Sequence, residues 1–179
     1  MEFAETIEQT TAVQSHVEYV DVIDIEASGF GRGSYPVEIG VCRSNGECRC
    51  YLIKPESDWT HWTTEAEKTH GISRQLLHDN GRDVREVALE LNEFLRGCTV
   101  YTDAWGQDQS WLMRLYDAAN CWPSFKLETI RNLMTEPQSE HYHQSYQQAA
   151  EELNLKRHRA STDAKVIQHA LAIMQANSK

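Results

Sequence analysis

No stretch of this chain approaches the ~20 consecutive apolar residues that a bilayer-spanning helix needs, so no membrane partner is expected. Residues 1–16 lack the basic start and apolar centre of a secretory signal. They read as a flexible N-terminal extension ahead of a single domain over residues 17–179. There is no CxxC pair, which argues against a structural zinc site. The five cysteines are odd in number and cannot all pair within the chain. Cys48 and Cys50, two apart, share one face if they lie on a strand. Reduced thiols and a cytoplasmic location are the expectation. Positive charge is also scarce: 17 Lys and Arg stand against 27 Asp and Glu, a net charge of −10. Such a chain is poorly suited to gripping long duplex DNA through its phosphates. That counts against a transcription-factor or chromatin role, but it does not exclude a nuclease, because bound divalent cations supply positive charge locally. No internal repeat or low-complexity tract is visible.

What is present is an ordinary globular composition, 40% hydrophobic and 25% charged over 179 residues, enough to bury a core without disulfides or metal. Residues 17–26 are rich in Val and Ile and read as a buried strand. A glycine-rich turn through Gly29, Gly31 and Gly33 follows. Val37, Ile39 and Val41 alternate with other residues as a second strand. Asn45-Gly46 signals a hairpin turn into a third strand over 48–53, which stops at Pro55. A short helix is predicted over 64–69. Residues 83–96 carry an apolar stripe, with Asp83 as a cap and Gly97 past the end. A strand over 99–102, a helix over 107–119 and a short strand at 126–127 come next. Helices over 144–153 and 162–175 close the chain. The order βββ, α, β, α, β, α, α predicts an α/β fold, a mixed sheet flanked by helices.

Three segments carry chemistry. Asp24 and Glu26 are two apart in an apolar strand, so their carboxylates share a face. Two close carboxylates repel unless a cation lies between them, and oxygen ligands suit Mg²⁺ or Mn²⁺. The bland alternative is a strand end with two solvated acids. The stretch His158-Arg159-Ala160-Ser161-Thr162-Asp163-Ala164 runs into the first turn of the last helix, where Ser161 or Thr162 can cap. Asp163 there also suits the helix dipole. His158 is the side-chain type best matched to taking a proton from water near neutral pH. The third segment runs from Tyr101 to Leu112 at a strand-to-helix junction. It offers Asp103 and Asp108, either of which can instead be a cap or a surface charge.

Together these segments resemble the DEDDh exonucleases, the DnaQ-like or RNase T-like family. Asp24-Ile25-Glu26 matches the family's acidic first motif. HRASTDA matches the third motif, H-x-A-x-x-D-A, at every fixed position. Trp105-Gly106 precedes Asp108 as in some members' second motif. This stretch is one residue longer than the usual form and lacks the aromatic directly before the acid, so Asp103 stands as the alternative to Asp108. His70-Gly71-Ile72 matches the family's H-G-I stretch.

The resemblance implies an RNase H-like fold with a five-stranded mixed sheet. It implies 3′→5′ hydrolysis of terminal phosphodiesters in single-stranded DNA, RNA or short oligonucleotides to nucleoside 5′-monophosphates. Two Mg²⁺ ions, replaceable by Mn²⁺, are implied as cofactors. Asp24 bridges both, Glu26 and Asp163 complete one site, Asp108 serves the second, and His158 is the general base. Ala27, Ser28, Gly29, Phe30 and His70 are the expected substrate contacts, with Phe30 as a stacking surface. The implied partners are nucleic-acid 3′ ends; a homodimer is left open. A non-catalytic nucleic-acid-binding module on the same fold is the competing reading. The presence of all four acids and the histidine argues against it.

Overall fold

The computed structural model describes residues 18–177. The expected extension over residues 1–16 lies outside them. Five strands form one sheet in the order β3-β2-β1-β4-β5. They are β1 (Val22–Ala27), β2 (Pro36–Cys42), β3 (Cys48–Leu52), β4 (Thr99–Thr102) and β5 (Lys126–Thr129). The first three form an antiparallel meander, and β4 and β5 run parallel to β1 and to each other. This is the five-stranded mixed sheet of the RNase H-like fold.

Six helices flank it: α1 (Thr64–His70), α2 (Arg74–Asn80), α3 (Val84–Phe94), α4 (Trp105–Ala118), α5 (Glu136–Leu153) and α6 (Ala160–Ala176). Among the described residues, no helix is long and apolar enough to cross a membrane. Alternation along β1 divides the molecule. Ile23 and Ile25 enter the larger core with Leu91, Leu112 and Leu115 of α3 and α4. Val22 faces the other way, against Ile167 and Leu171 of α6. Asp24 and Glu26 continue the Val22 face, toward the start of α6.

Several boundaries differ from expectation. The first strand begins at Val22 rather than Val17. Helix α2 is an addition: seven residues with Ser73 capping Leu76 N–H, too short to show a periodic stripe. Helix α5 begins at Glu136, eight residues before the predicted start; its first half carries Tyr142 alone against the core and so shows no apolar stripe. Its entry is fixed by the Thr135–Gln138 capping box. Helix α6 begins at Ala160, and neither Ser161 nor Thr162 caps it.

The cysteines also depart from expectation: Cys42 and Cys48 form a disulfide, leaving Cys50, Cys98 and Cys121 as thiols. The hairpin register sets Cys42 directly opposite Cys48, with Cα atoms 4.2 Å apart. Spacing along the chain does not reveal that pairing.

Candidate active site

The carboxylates meet where the central strand β1 ends and α4 and α6 begin, at the carboxyl end of the strand, where open α/β folds collect ligands. The register of β1 and β2 shifts between Glu26 and Ala27, an irregularity that re-aims the chain beside the acids. Asp108 lies in the first turn of α4 and is buried. Thr102 Oγ1, at the end of β4, donates to Asp108 Oδ2, while Asp108 Oδ1 is buried with no hydrogen-bond partner. Asp163 lies in the first turn of α6, also buried, and its Oδ2 accepts the His158 peptide N–H at 3.0 Å. Its Oδ1 receives no hydrogen bond and has Arg157 Nε at 3.9 Å.

The fields of these acids fall on one another. Desolvation, then Asp108, Glu26, Asp163 and Asp103 hold the Asp24 carboxyl well above the usual carboxylate range. Glu26 is pushed up to about 7, first by burial and then by Asp163 and Glu38. Asp108 is pushed up to about 7 by burial, against the lowering effect of the Thr102 hydrogen bond. Burial raises Asp163 as well, opposed by the His158 N–H and Arg157. Carboxyls whose charges oppose one another in this way are candidates to hold a cation.

Ligand atoms of Glu26, His158 and Asp163 all lie within 4.8 Å of one another. The donor set is mainly carboxylate oxygen, and Asp108 Oδ1 and Asp163 Oδ1 accept no hydrogen bond. Hard divalent cations such as Mg²⁺ or Mn²⁺ fit this chemistry. Asp103 is exposed at the rim. Its carboxyl is raised by desolvation and by Asp163, with the Tyr142 hydroxyl among the opposing influences. Asp108 is thus the more buried of the two acids and the first charge felt by Asp24, with Asp103 the last.

Beside the acids opens a cleft of about 580 Å³. Ala27, Gly29, Phe30 and His70 line it together with Asp108 and His158. Ser28 does not. It is fully buried, with its Oγ 2.9 Å from His61 Nδ1 and accepting Tyr35 N–H at 3.1 Å, so it shapes the turn from behind. His70 is buried, its Nδ1 accepting Ile72 N–H at 3.0 Å, and desolvation lowers its pKa, so it is neutral. Phe30 is 76% exposed at the mouth, its ring 5.8 Å from that of Trp111.

Trp111 is one functional candidate that the sequence did not disclose; its signal was its position one turn after Asp108. Three others are Glu38, Gly40 and Arg159. Glu38 is fully buried in β2, directly opposite Glu26 in the register. Arg159 Nε lies 3.0 Å from both of its oxygens, Arg159 Nη2 also donates to it, and Ala160 N–H donates at 2.8 Å. Desolvation would raise Glu38, but these bonds bring it below its ordinary value. Glu38 therefore caps α6 from a neighbouring strand, which explains why no local residue does so.

Gly40 completes the fit: a Cβ there would lie 2.1 Å from the backbone of Ala160 and Ser161. The segment bearing His158 and Asp163 is consequently pressed onto β2. A charged residue in an otherwise apolar strand was the visible hint of this role.

Neither a protein-family model nor a curated protein sequence matches the chain. Solved structures do. The chain resembles E. coli exonuclease I in complex with a dA16 oligonucleotide, with a TM-score of 0.67 and 12% identity over 89% of this chain and 41% of that one. It resembles a moderately thermophilic exonuclease I from Methylocaldum szegediense, with a TM-score of 0.66 and 15% identity over 89% and 41%. It also resembles the zinc-bound form of the E. coli exonuclease I–single-stranded DNA complex, with a TM-score of 0.64 and 12% identity over 90% and 41%. The chain spans about two fifths of the length of these neighbours. At these identities the likeness establishes the RNase H-like fold.

Proposed function

We propose that the chain is a metal-dependent 3′→5′ exonuclease of the DEDDh type. It removes nucleoside 5′-monophosphates from single-stranded nucleic acid. The observation that carries this reading is the convergence of Asp24, Glu26, Asp108 and Asp163, each with a raised pKa, beside a cleft that holds His158. The likeness to exonuclease I supports it.

In this reading the four acids hold two divalent cations, Mg²⁺ or Mn²⁺. When bound, these supply charge that orients the attacking water and stabilises the leaving 3′-oxygen. The chain's own residues do the rest. His158 is exposed and reaches the same space as Glu26 and Asp163, so it takes the proton from the water that attacks the terminal phosphorus. Phe30 and Trp111 hold a base of the strand beside the cleaved bond by stacking. The P–O3′ bond breaks, leaving a shortened strand with a free 3′-hydroxyl.

Digestion of a 5′-fluorescein-labelled single-stranded DNA and the matching RNA tests this. A ladder shortening from the 3′ end is expected with Mg²⁺, none after EDTA, and strong slowing by a 3′-phosphate. Cleavage of a circular strand, or full activity after exhaustive chelation, would overturn it. Binding of the strand with no turnover under any divalent cation would favour the non-catalytic module.

A further inference from the structure

A second groove adjoins the cleft, about 390 Å³ in volume. Its lining includes Gly31, Arg32, Gly33 and Ser34 of the β1–β2 loop, and Ser110 and Arg114 of α4. The two spaces share their walls. Gly29 and Phe30 line the cleft, and the next four residues of the same loop line the groove. Trp111 lines the cleft, and its Nε1–H donates to Ser34 Oγ at 2.9 Å, joining α4 to the loop between the two.

The groove offers two guanidiniums in a chain of net charge −10. Arg32 is exposed and takes part in none of the ion pairs found among the described residues. Arg114 lies 5.6 Å over the Trp59 ring, and its one acidic partner, Asp58, is 4.0 Å away and 78% exposed. So exposed a pair contributes little and leaves the guanidinium available to an anion. Gly31 leaves its part of the wall bare: a Cβ there would meet nothing within 4 Å. Asp117 also lines the groove and limits the positive field to the two arginines.

Spacing along α4 orders these features. Asp108, Trp111 and Arg114 recur every three residues. The six steps from Asp108 to Arg114 rise about 9 Å along the axis. At about 3.4 Å per nucleotide along a strand, that is two to three stacked nucleotides. An acid for the cleaved phosphate, an aromatic for a base and an arginine for a phosphate further on thus follow one another along one helix.

We propose that this groove binds the phosphodiester backbone two to three nucleotides on the 5′ side of the cleaved bond. The preferred substrate is then a single strand of four or more nucleotides rather than a dinucleotide. The proposal rests on the exonuclease reading for its polarity. Arg32 and Arg114 are binding residues here, and neither touches the reacting atoms.

Fluorescence anisotropy with 5′-fluorescein dT2 and dT12, with Ca²⁺ in place of Mg²⁺ and over a KCl series, tests it without requiring turnover. Wild type should bind dT12 more tightly than dT2. Arg32→Gln and Arg114→Gln should each weaken dT12 by about tenfold, well beyond any change on dT2. Each should also lower the slope of log Kd against log salt by about 0.7. Arg114→Lys keeps the charge and should restore most of that slope. Because Arg32 is exposed, its variant keeps the test free of folding defects. Equal affinity of wild type for dT2 and dT12, or equal losses on both in the variants, overturns the groove. Length-dependent binding with no hydrolysis in Mg²⁺ sinks the exonuclease reading alone. Hydrolysis with no length dependence sinks the groove alone.

Discussion

Asp24 feels four other carboxylates, and burial adds to their repulsion. The consequence is testable without metal. Glu26, pushed from 4.5 up to about 7, is an acid whose folded pKa is raised. Such a group stabilises the fold below its unfolded pKa, and that contribution is lost as pH rises through the folded value. In EDTA, the Tm should therefore fall between about pH 5.5 and 8. Mg²⁺ should raise Tm more at pH 8 than at pH 6, because protons compete with the cation for the same oxygens. Asp24→Asn should flatten the metal-free profile and abolish hydrolysis. A Tm in EDTA that is level or rises over this range would contradict the electrostatics.

The two candidate second-motif acids separate in the same way. Asp108→Ala should lose activity by orders of magnitude, and Asp103→Ala much less; the reverse order in a turnover assay would reassign the ligand. His158→Ala should cut turnover by about 10²–10⁴-fold, as loss of a positioned base does. Its affinity for Mn²⁺ by calorimetry should be nearly unchanged. A large loss of metal affinity would make His158 a ligand rather than a base.

Strand β2 and helix α6 form one device. Glu38 caps the helix and grips Arg159, Gly40 admits the helix backbone, and Asp163 takes the His158 N–H. Gly40→Ala should force the helix start off the strand, costing about 1–3 kcal/mol as overpacking does, and reduce turnover with it. Gly106→Ala is the contrast: a Cβ there meets nothing within 4 Å and lies in α4, so stability should hold or rise by about 0.4–1 kcal/mol. Thermal unfolding of both variants checks the pair. Equal destabilisation would show that the close approach at Gly40 is not what matters. Glu38→Gln should lower Tm while Arg159→Lys should lower it less, since lysine keeps the charge but not the two-pronged grip.

In the proposed reading, the acidic balance of the chain and the local groove together set the substrate. With a net charge of −10, few phosphates can be neutralised away from the cations and the two arginines. A single-stranded 3′ end should be digested about tenfold or more faster than a blunt duplex of the same sequence at physiological salt. Equal rates on the two would mean that the duplex end is opened or gripped by something outside these features.

Local patterning sufficed for much of this. The strand alternation, the Asn45-Gly46 turn and the Asp83 cap fixed the meander and α3, because each depends on neighbours within a few residues. The D-x-E pair and HRASTDA singled out Asp24, Glu26, His158 and Asp163 as candidates for the same reason: each motif spans only a few residues. The polar first half of α5 and the seven-residue α2 were not legible, since a helix without an apolar stripe, or shorter than two turns, leaves no period to read. Still less could the chain order reveal contacts across strands. The Cys42–Cys48 bond follows from hairpin register. The Glu38–Arg159 grip joins residues 121 apart, and the Gly40 approach joins β2 to the same segment. Ser28, adjacent to the motif, is turned away from the cleft, while Trp111, far from it in sequence, lines it. Which side chains share a space is set by how the sheet and helices pack, and packing is a long-range sum that no short spacing encodes.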